Sequence, residues 1–153
     1  MMTVSQFLLF AGVRHEPYKR PPIPGVVITA ANQLMGSYTD FARFRGTDPN
    51  YRGWHAHHIV EFQDFARLGV TRPLPAYGEQ LCVLIPERAH IGRVNSILNR
   101  RNPQAVVVTA SELRSAYHDA YMMIGDYCGG GEVSIRRELL AVVDATFKSL
   151  GVI

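Results

Sequence analysis

Two short apolar runs, Trp54–Val60 and Leu81–Ile85, constrain this chain most, because the second leads straight into Pro86-Glu87. Runs of this length, rich in Val, Ile and aromatic residues, read as strands. Proline at a helix start and an acidic residue in the first turn are both favourable, so a helix is expected from about Glu87 to Arg100, closed by Asn102-Pro103. The order is therefore strand, connection, strand, helix. Histidine marks both ends of this unit. His55, His57 and His58 fall within four positions of the first strand, three of the six histidines in the chain, and His90 opens the helix. Neutral imidazoles are metal ligands and general bases, so a gathering of them points to a site. Because side chains alternate along a strand, His57 and His58 are expected on opposite faces unless the strand twists or ends there.

The rest of the chain falls around this centre. Residues up to about Gly25 read as irregular, with Pro17, Pro21, Pro22 and Pro24 opposing helix. Val26–Thr29 reads as a short strand or the lead-in to a helix. Ala30–Phe44 reads as helix, with Leu34, Tyr38, Phe41 and Phe44 on one face. Gly46–Asn50 is a turn or loop, Phe62–Leu68 a short helix ended by Gly69, and Arg72–Pro75 an extended linker. Ser111 is a candidate N-cap for a helix bearing Leu113, Tyr117, Ala120, Tyr121 and Ile124. After the Gly129–Gly131 break, Ile135, Leu139, Val142, Val143, Phe147 and Leu150 mark a last amphipathic helix. The expected class is α+β, one domain over 1–153, with residues 1–25 irregular, a β-hairpin-like centre at 53–101 and C-terminal helices at 110–150.

Composition sets the outer limits. At 153 residues the chain is long enough to bury a core without disulfides, and 47% hydrophobic with 19% charged residues is globular rather than disordered. Cys82 and Cys128 are far apart and form no C-x-x-C pair; Cys82 reads as a buried thiol. Net charge is +3, with basic clusters at 14–20, 43–52, 88–101 and Arg136-Arg137, a mild bias toward anionic partners such as nucleic acid. No membrane-spanning segment is expected, and the apolar run near the start, lacking a basic region before it, reads poorly as a signal peptide.

Ala56-His57-His58-Ile59-Val60, with Leu84-Ile85-Pro86 and His90, resembles the HNH (His-Me finger, ββα-metal) nuclease superfamily, closest to its AHH type of bacterial polymorphic-toxin and effector modules. The resemblance covers residues 53–100. It implies a ββα-metal finger set in a mainly helical domain, with His58 as general base and His57 and His90 as metal ligands. The implied cofactor is a divalent metal ion: Mg²⁺ or Zn²⁺, with Mn²⁺ or Ni²⁺ as further options. The implied activity is hydrolysis of DNA phosphodiester bonds without sequence preference. The implied setting is a secreted or delivered effector acting in a target-cell cytoplasm and neutralised by a cognate immunity protein. Phosphodiester hydrolysis needs an activated water and a cation to stabilise charge on the phosphate, which histidines of this kind can supply.

The chain departs from the family pattern in places. Glu79 or Gln80 stands where the family's middle Asn pins the loop, and Gln80 could make a similar amide hydrogen bond. Where many members carry a further ligand one turn after the helix histidine, this chain has Val94, about 40° around from His90 at ~100° per residue. Asn95 would point about 140° away. Candidates for substrate contact or for support of the ligands are His55, Glu61, Gln80, Arg88, Arg93 and Asn95. Bland readings stand beside these. Trp54, Tyr117, Tyr121 and Tyr127 read as packing, His15 and His118 as ordinary residues, and arginines near the helix as solvated. The alternative function is a non-catalytic module in which the histidines hold a structural zinc, although closed zinc sites usually have four protein ligands.

Overall fold

A computed structural model describes residues 2–16, 19–21, 23–44, 51–70, 79–90, 94, 108–122, 124–128 and 132–153. Within them the class is α+β, as expected, but the β part is larger than a hairpin. It is a four-stranded antiparallel sheet of β1 (Val27–Ile28), β2 (Leu34–Ser37), β3 (Trp54–His58) and β4 (Leu81–Pro86), in the order β1-β2-β4-β3. β4 lies between β2 and β3. It pairs Val83 with Met35 on one side and with His57 on the other. The strand pair that carries histidine is thus buttressed, not free-standing.

This pairing divides the side chains cleanly. Met35, Val83 and Ile85 join one core, built with Leu8 of α1 (Val4–Ala11), Leu113, Tyr117 and Tyr121 of α5 (Ala110–Tyr121), and Ile135, Leu139, Val143 and Phe147 of α7 (Glu132–Ser149). Leu34, Ala56, Cys82 and Leu84 turn the other way, onto Phe41 of α2 (Tyr38–Phe44), Ile23 and Val26. The sheet is therefore covered on both faces. Three short helices complete the described elements: α3 (Phe62–Arg67), α4 (Glu87–Ala89) and α6 (Gly125–Cys128). Glu138 of α7 ties the β1–β2 turn down, accepting hydrogen bonds from the Thr29 hydroxyl and, at 3.0 Å, from the Ala31 N–H.

Three expectations are corrected. The N-terminal segment is not irregular throughout. Thr3 caps α1 in a reciprocal box with Gln6, and Gly12 closes it with φ +78°. The prolines that argue against helix begin only at Pro17, beyond its end. The helix expected over Ala30–Phe44 starts at Tyr38, because Leu34–Ser37 is drawn into the sheet beside β4. The cap of α5 is Thr109, whose hydroxyl accepts from the Glu112 N–H at 3.1 Å; Ser111 lies inside the first turn. α4 begins at Glu87 as expected, but most of the helix anticipated to Arg100 lies outside the described residues, as do the loop at 46–50, the linker at 72–75 and the Gly129–Gly131 run.

Gly25 shows how tightly α2 is seated. It has φ +85°, and a Cβ added there would stand 2.7 Å from Asp40 Oδ2. Gly25→Ala is expected to lower unfolding free energy by about 1–2 kcal/mol, the cost of a left-handed conformation for an L side chain. Urea titration checks this; an unchanged midpoint contradicts it.

Candidate functional site

Strand alternation sends His55 and His57 to the helical side of the sheet, in register with Ile85 and Val83. His58 goes to the opposite side, in register with Cys82. It is only 7% exposed, and its ring stacks on Tyr38 at 5.2 Å and 21°. The helix histidine joins the first pair. His90 follows α4, whose Glu87 N–H bonds the Gly53 carbonyl at 2.8 Å, so the start of the helix is tied to the start of β3. That junction places His90 Nδ1 3.2 Å from His55 Nδ1 and its ring centroid 5.0 Å from that of His57. The structure therefore gathers His55, His57 and His90. His58, expected as the base beside His57 and His90, stands across the sheet from them because the strand stays regular.

His57 is held by a neighbour that sequence reading takes for packing. Its Nε2 lies 2.9 Å from the Tyr121 hydroxyl, which also sits 2.7 Å from the Ile59 carbonyl. A carbonyl can only accept, so the single hydroxyl proton goes to Ile59. His57 must then donate its Nε2–H, and Nδ1 keeps the lone pair. The ring is 1% exposed, and burial, reinforced by the nearby His90 and His58, pushes its pKa well below the usual 6.5. A neutral imidazole with one nitrogen fixed by a hydrogen bond is the form a metal ligand needs.

Tyr121 belongs to a larger buried polar seam. Tyr117, stacked on Tyr121 at 5.9 Å, donates to Asp64 Oδ2 and accepts the Glu61 N–H at 2.7 Å. Arg67 closes the seam by donating Nη1 to Asp64 Oδ1 at 2.7 Å. Glu61, expected to orient a ligand histidine, does something else: its Oε2 accepts from Gln63 at 3.1 Å and its Oε1 is buried without a partner among the described residues. Burial first, then repulsion from Asp64, raises its carboxyl to about 7, with Arg67 and Gln63 opposing.

The remaining candidates are dispersed. Gln80 is buried at the head of β4, where its carbonyl accepts the Tyr38 N–H at 3.2 Å. Arg88 is exposed on α4, close enough for its charge to oppose the burial that pushes the Cys128 thiol up to about 11. Arg93 and Asn95 lie outside the described residues. Val94, where the family pattern has a ligand, is fully buried in the core.

The fit to a divalent metal is partial. Two imidazole nitrogens bound at about 2.0–2.1 Å in tetrahedral geometry stand about 3.3 Å apart, close to the His55–His90 spacing. Yet among the described residues no three His, Cys, Asp or Glu side chains converge as a metal-holding group. Only His55 and His90 have a spacing that a cation could bridge, with the neutral His57 ring beside them. Compared with family models, curated proteins and solved structures, the chain matches none.

Two outcomes are expected. Glu61 is protonated more readily folded than unfolded, so its contribution to stability is full below about 4.5 and is lost as pH rises through about 7. Glu61→Gln should match wild type near pH 4.5 and exceed it at pH 8 in thermal melts; equal melting curves at pH 8 contradict this. Tyr121→Phe leaves His57 Nε2–H and the Ile59 carbonyl unpaired, costing about 1–3 kcal/mol. It should also weaken Zn²⁺ binding by about 10–100-fold. Unaltered affinity measured by calorimetry would remove Tyr121 from the site.

Proposed function

We propose that the chain is a metal-dependent phosphodiesterase of the nuclease type, acting on nucleic acid without sequence preference. The observation that supports this most is the approach of His55 Nδ1 to His90 Nδ1, 3.2 Å apart, from a strand and a helix start, with the ring of His57 5.0 Å from that of His90 and fixed as neutral by Tyr121. His55 and His90 would hold the cation through Nδ1. When bound, it would supply charge stabilisation on the phosphate and acidify a water. His57 contributes a neutral lone-pair nitrogen, fit to act as a further ligand or as acceptor of the water proton. The seat has few protein donors, which leaves coordination positions for water and phosphate, as catalytic sites require.

DNA as the substrate, the effector role and the immunity partner belong to the same proposal. They are supported by the resemblance of the Ala56-His57-His58 stretch and His90 to the AHH type of nuclease. The base role of His58 carries less support than the ligand roles, since its ring lies under Tyr38 on the far face. The structural-zinc reading lacks, among the described residues, the four converging ligands that such sites use. No helix among the described residues is long and apolar enough to cross a membrane.

Plasmid nicking with Mg²⁺, Mn²⁺, Ni²⁺, Zn²⁺ or chelator tests the proposal. Metal-dependent cutting is expected, reduced by about 10²-fold or more in His57→Ala and His90→Ala while circular dichroism stays native. His58→Ala should lose less. Equal loss in His58→Ala would return the base role to that residue. Intact DNA and RNA with every metal, from folded wild type, ends the nuclease reading. A metal that raises the melting temperature without any cutting favours the structural module.

A further inference from the structure

A hollow of about 290 Å³ opens where α1 and the last turns of α7 meet the chain leaving β3 and entering β4. None of His55, His57 and His90 lines it. Its floor is apolar and closed: Ile59, Val60, Phe65 and Val142 are each at most 5% exposed. Its rim is open, since Met2, Thr3, Glu79 and Ser149 are exposed there. An apolar cavity of about 150 Å³ stays dry and takes up benzene, so this one has room for a single body of about twice that size. Wall atoms facing a void lack contacts on one side, and an apolar guest restores them.

The rim sets the chemistry of the guest's polar end. Glu79 is the one charged side chain in the lining, and it has no ion-pair partner among the described residues. Thr146 and Ser149, in the last turn of α7, have spent their hydroxyl protons. Thr146 donates to the Val142 carbonyl and Ser149 to the Thr146 carbonyl, each at 2.8 Å. A hydroxyl has one proton, so toward the hollow these two can only accept. Of the three rim hydroxyls only that of Thr3 keeps an uncommitted proton among the described residues. The Gln80 amide both donates and accepts, and does not discriminate. The end of the 18-residue α7 is also its negative pole. The start of α1 at the same rim opposes this, but its Gln6 and Phe7 N–H groups are already taken by Thr3. Lys148 is not in the lining; its ammonium stands 6.0 Å from the centroid of the Phe10 ring. A carboxylate and acceptor oxygens above an apolar pit suit a positive donor. We propose that the pocket binds a primary ammonium compound with one apolar body, its hydrocarbon against Ile59 and Val142 and its charged head at Glu79, Thr146 and Ser149.

Calorimetric titration of the full chain with n-octylamine, octan-1-ol and octanoate tests this, because the three share one body and differ in head. Near pH 7 the amine is protonated and the octanoate ionised. One site per chain is expected, with octylamine about tenfold tighter than octanoate and octanol between them, the scale of a partly exposed charge pair. Glu79→Gln, a change at an exposed position, should bring amine and octanoate to within about twofold of each other. Leu150→Trp, which puts bulk into the hollow from a half-buried position, should weaken all three by about tenfold or more while circular dichroism stays native. Where the tryptophan variant does not fold, the Glu79→Gln result decides alone. Equal affinity of wild type for the three ligands, or an unchanged preference in Glu79→Gln, overturns the ammonium head. Undiminished binding by folded Leu150→Trp overturns the pocket. No binding of any of the three by folded wild type overturns both. The nuclease reading stands apart from every one of these outcomes, since plasmid nicking decides it.

Discussion

The hydroxyl of Tyr121 is the contact on which the site depends. It is shared between the Ile59 carbonyl and His57 Nε2, so one oxygen joins a helix to the end of β3 and sets the tautomer of a histidine. Tyr117 does the same one turn earlier, linking the Glu61 backbone to the Asp64–Arg67 pair. A buried polar group without partners costs about 1–3 kcal/mol, roughly twice what a made hydrogen bond returns, so such a seam favours one docking of α5 on the sheet over its neighbours. Apolar packing by Leu113, Ala116 and Ala120 attracts the helix to the sheet. The hydroxyls decide where it stops.

Strand geometry then imposes a choice that the histidine doublet alone leaves open. With β3 paired in unbroken register to β4 over five residue pairs, adjacent side chains must part to opposite faces. His57 enters the face where the helices bring hydroxyls. His58 enters the opposite face, where its ring stacks on Tyr38. The ring that His57 approaches instead is that of His90, which His55, two residues back on the same face, meets through Nδ1. A residue that reads from sequence as a bystander is thus better placed than its neighbour in the doublet.

What the sequence made legible follows from the range of each signal. β3, β4, α3 and α7 are set by local periodicity and by punctuation such as Gly69 and Pro86, and they stand within a residue or two of where pattern puts them. Over Ala30–Phe44 the helical spacing of Leu34, Tyr38 and Phe41 is real, but pairing with β4 overrides it for the first turn. Gly36 carried the hint: a Cβ there would lie 2.7 Å from Val26 Cγ2, a close approach that only a glycine in a packed sheet allows. α1 starts at a box of Thr3 and Gln6, a local signal that the prolines from Pro17 onward do not touch. The site was legible as a cluster of residue types and not as a geometry. Tyr121 is 64 positions from His57 and His90 is 35 from His55, and no local pattern records such distances.

The same separation bears on whether a metal here would be structural or working. A structural ion substitutes for a core and therefore sits where the chain has no other means of holding together. Here the surrounding elements already close two cores, and the seam of Tyr117, Asp64 and Arg67 satisfies its members without any ion. Cys82, the donor that would complete a closed zinc set most readily, is on the His58 face with its thiol directed at the Gln80 carbonyl at 3.6 Å. His55 and His90 are half-buried at the sheet end, so a cation between them would meet solvent rather than a complete shell. Under the proposed function, a cation held by these two imidazoles alone would keep positions open for a substrate.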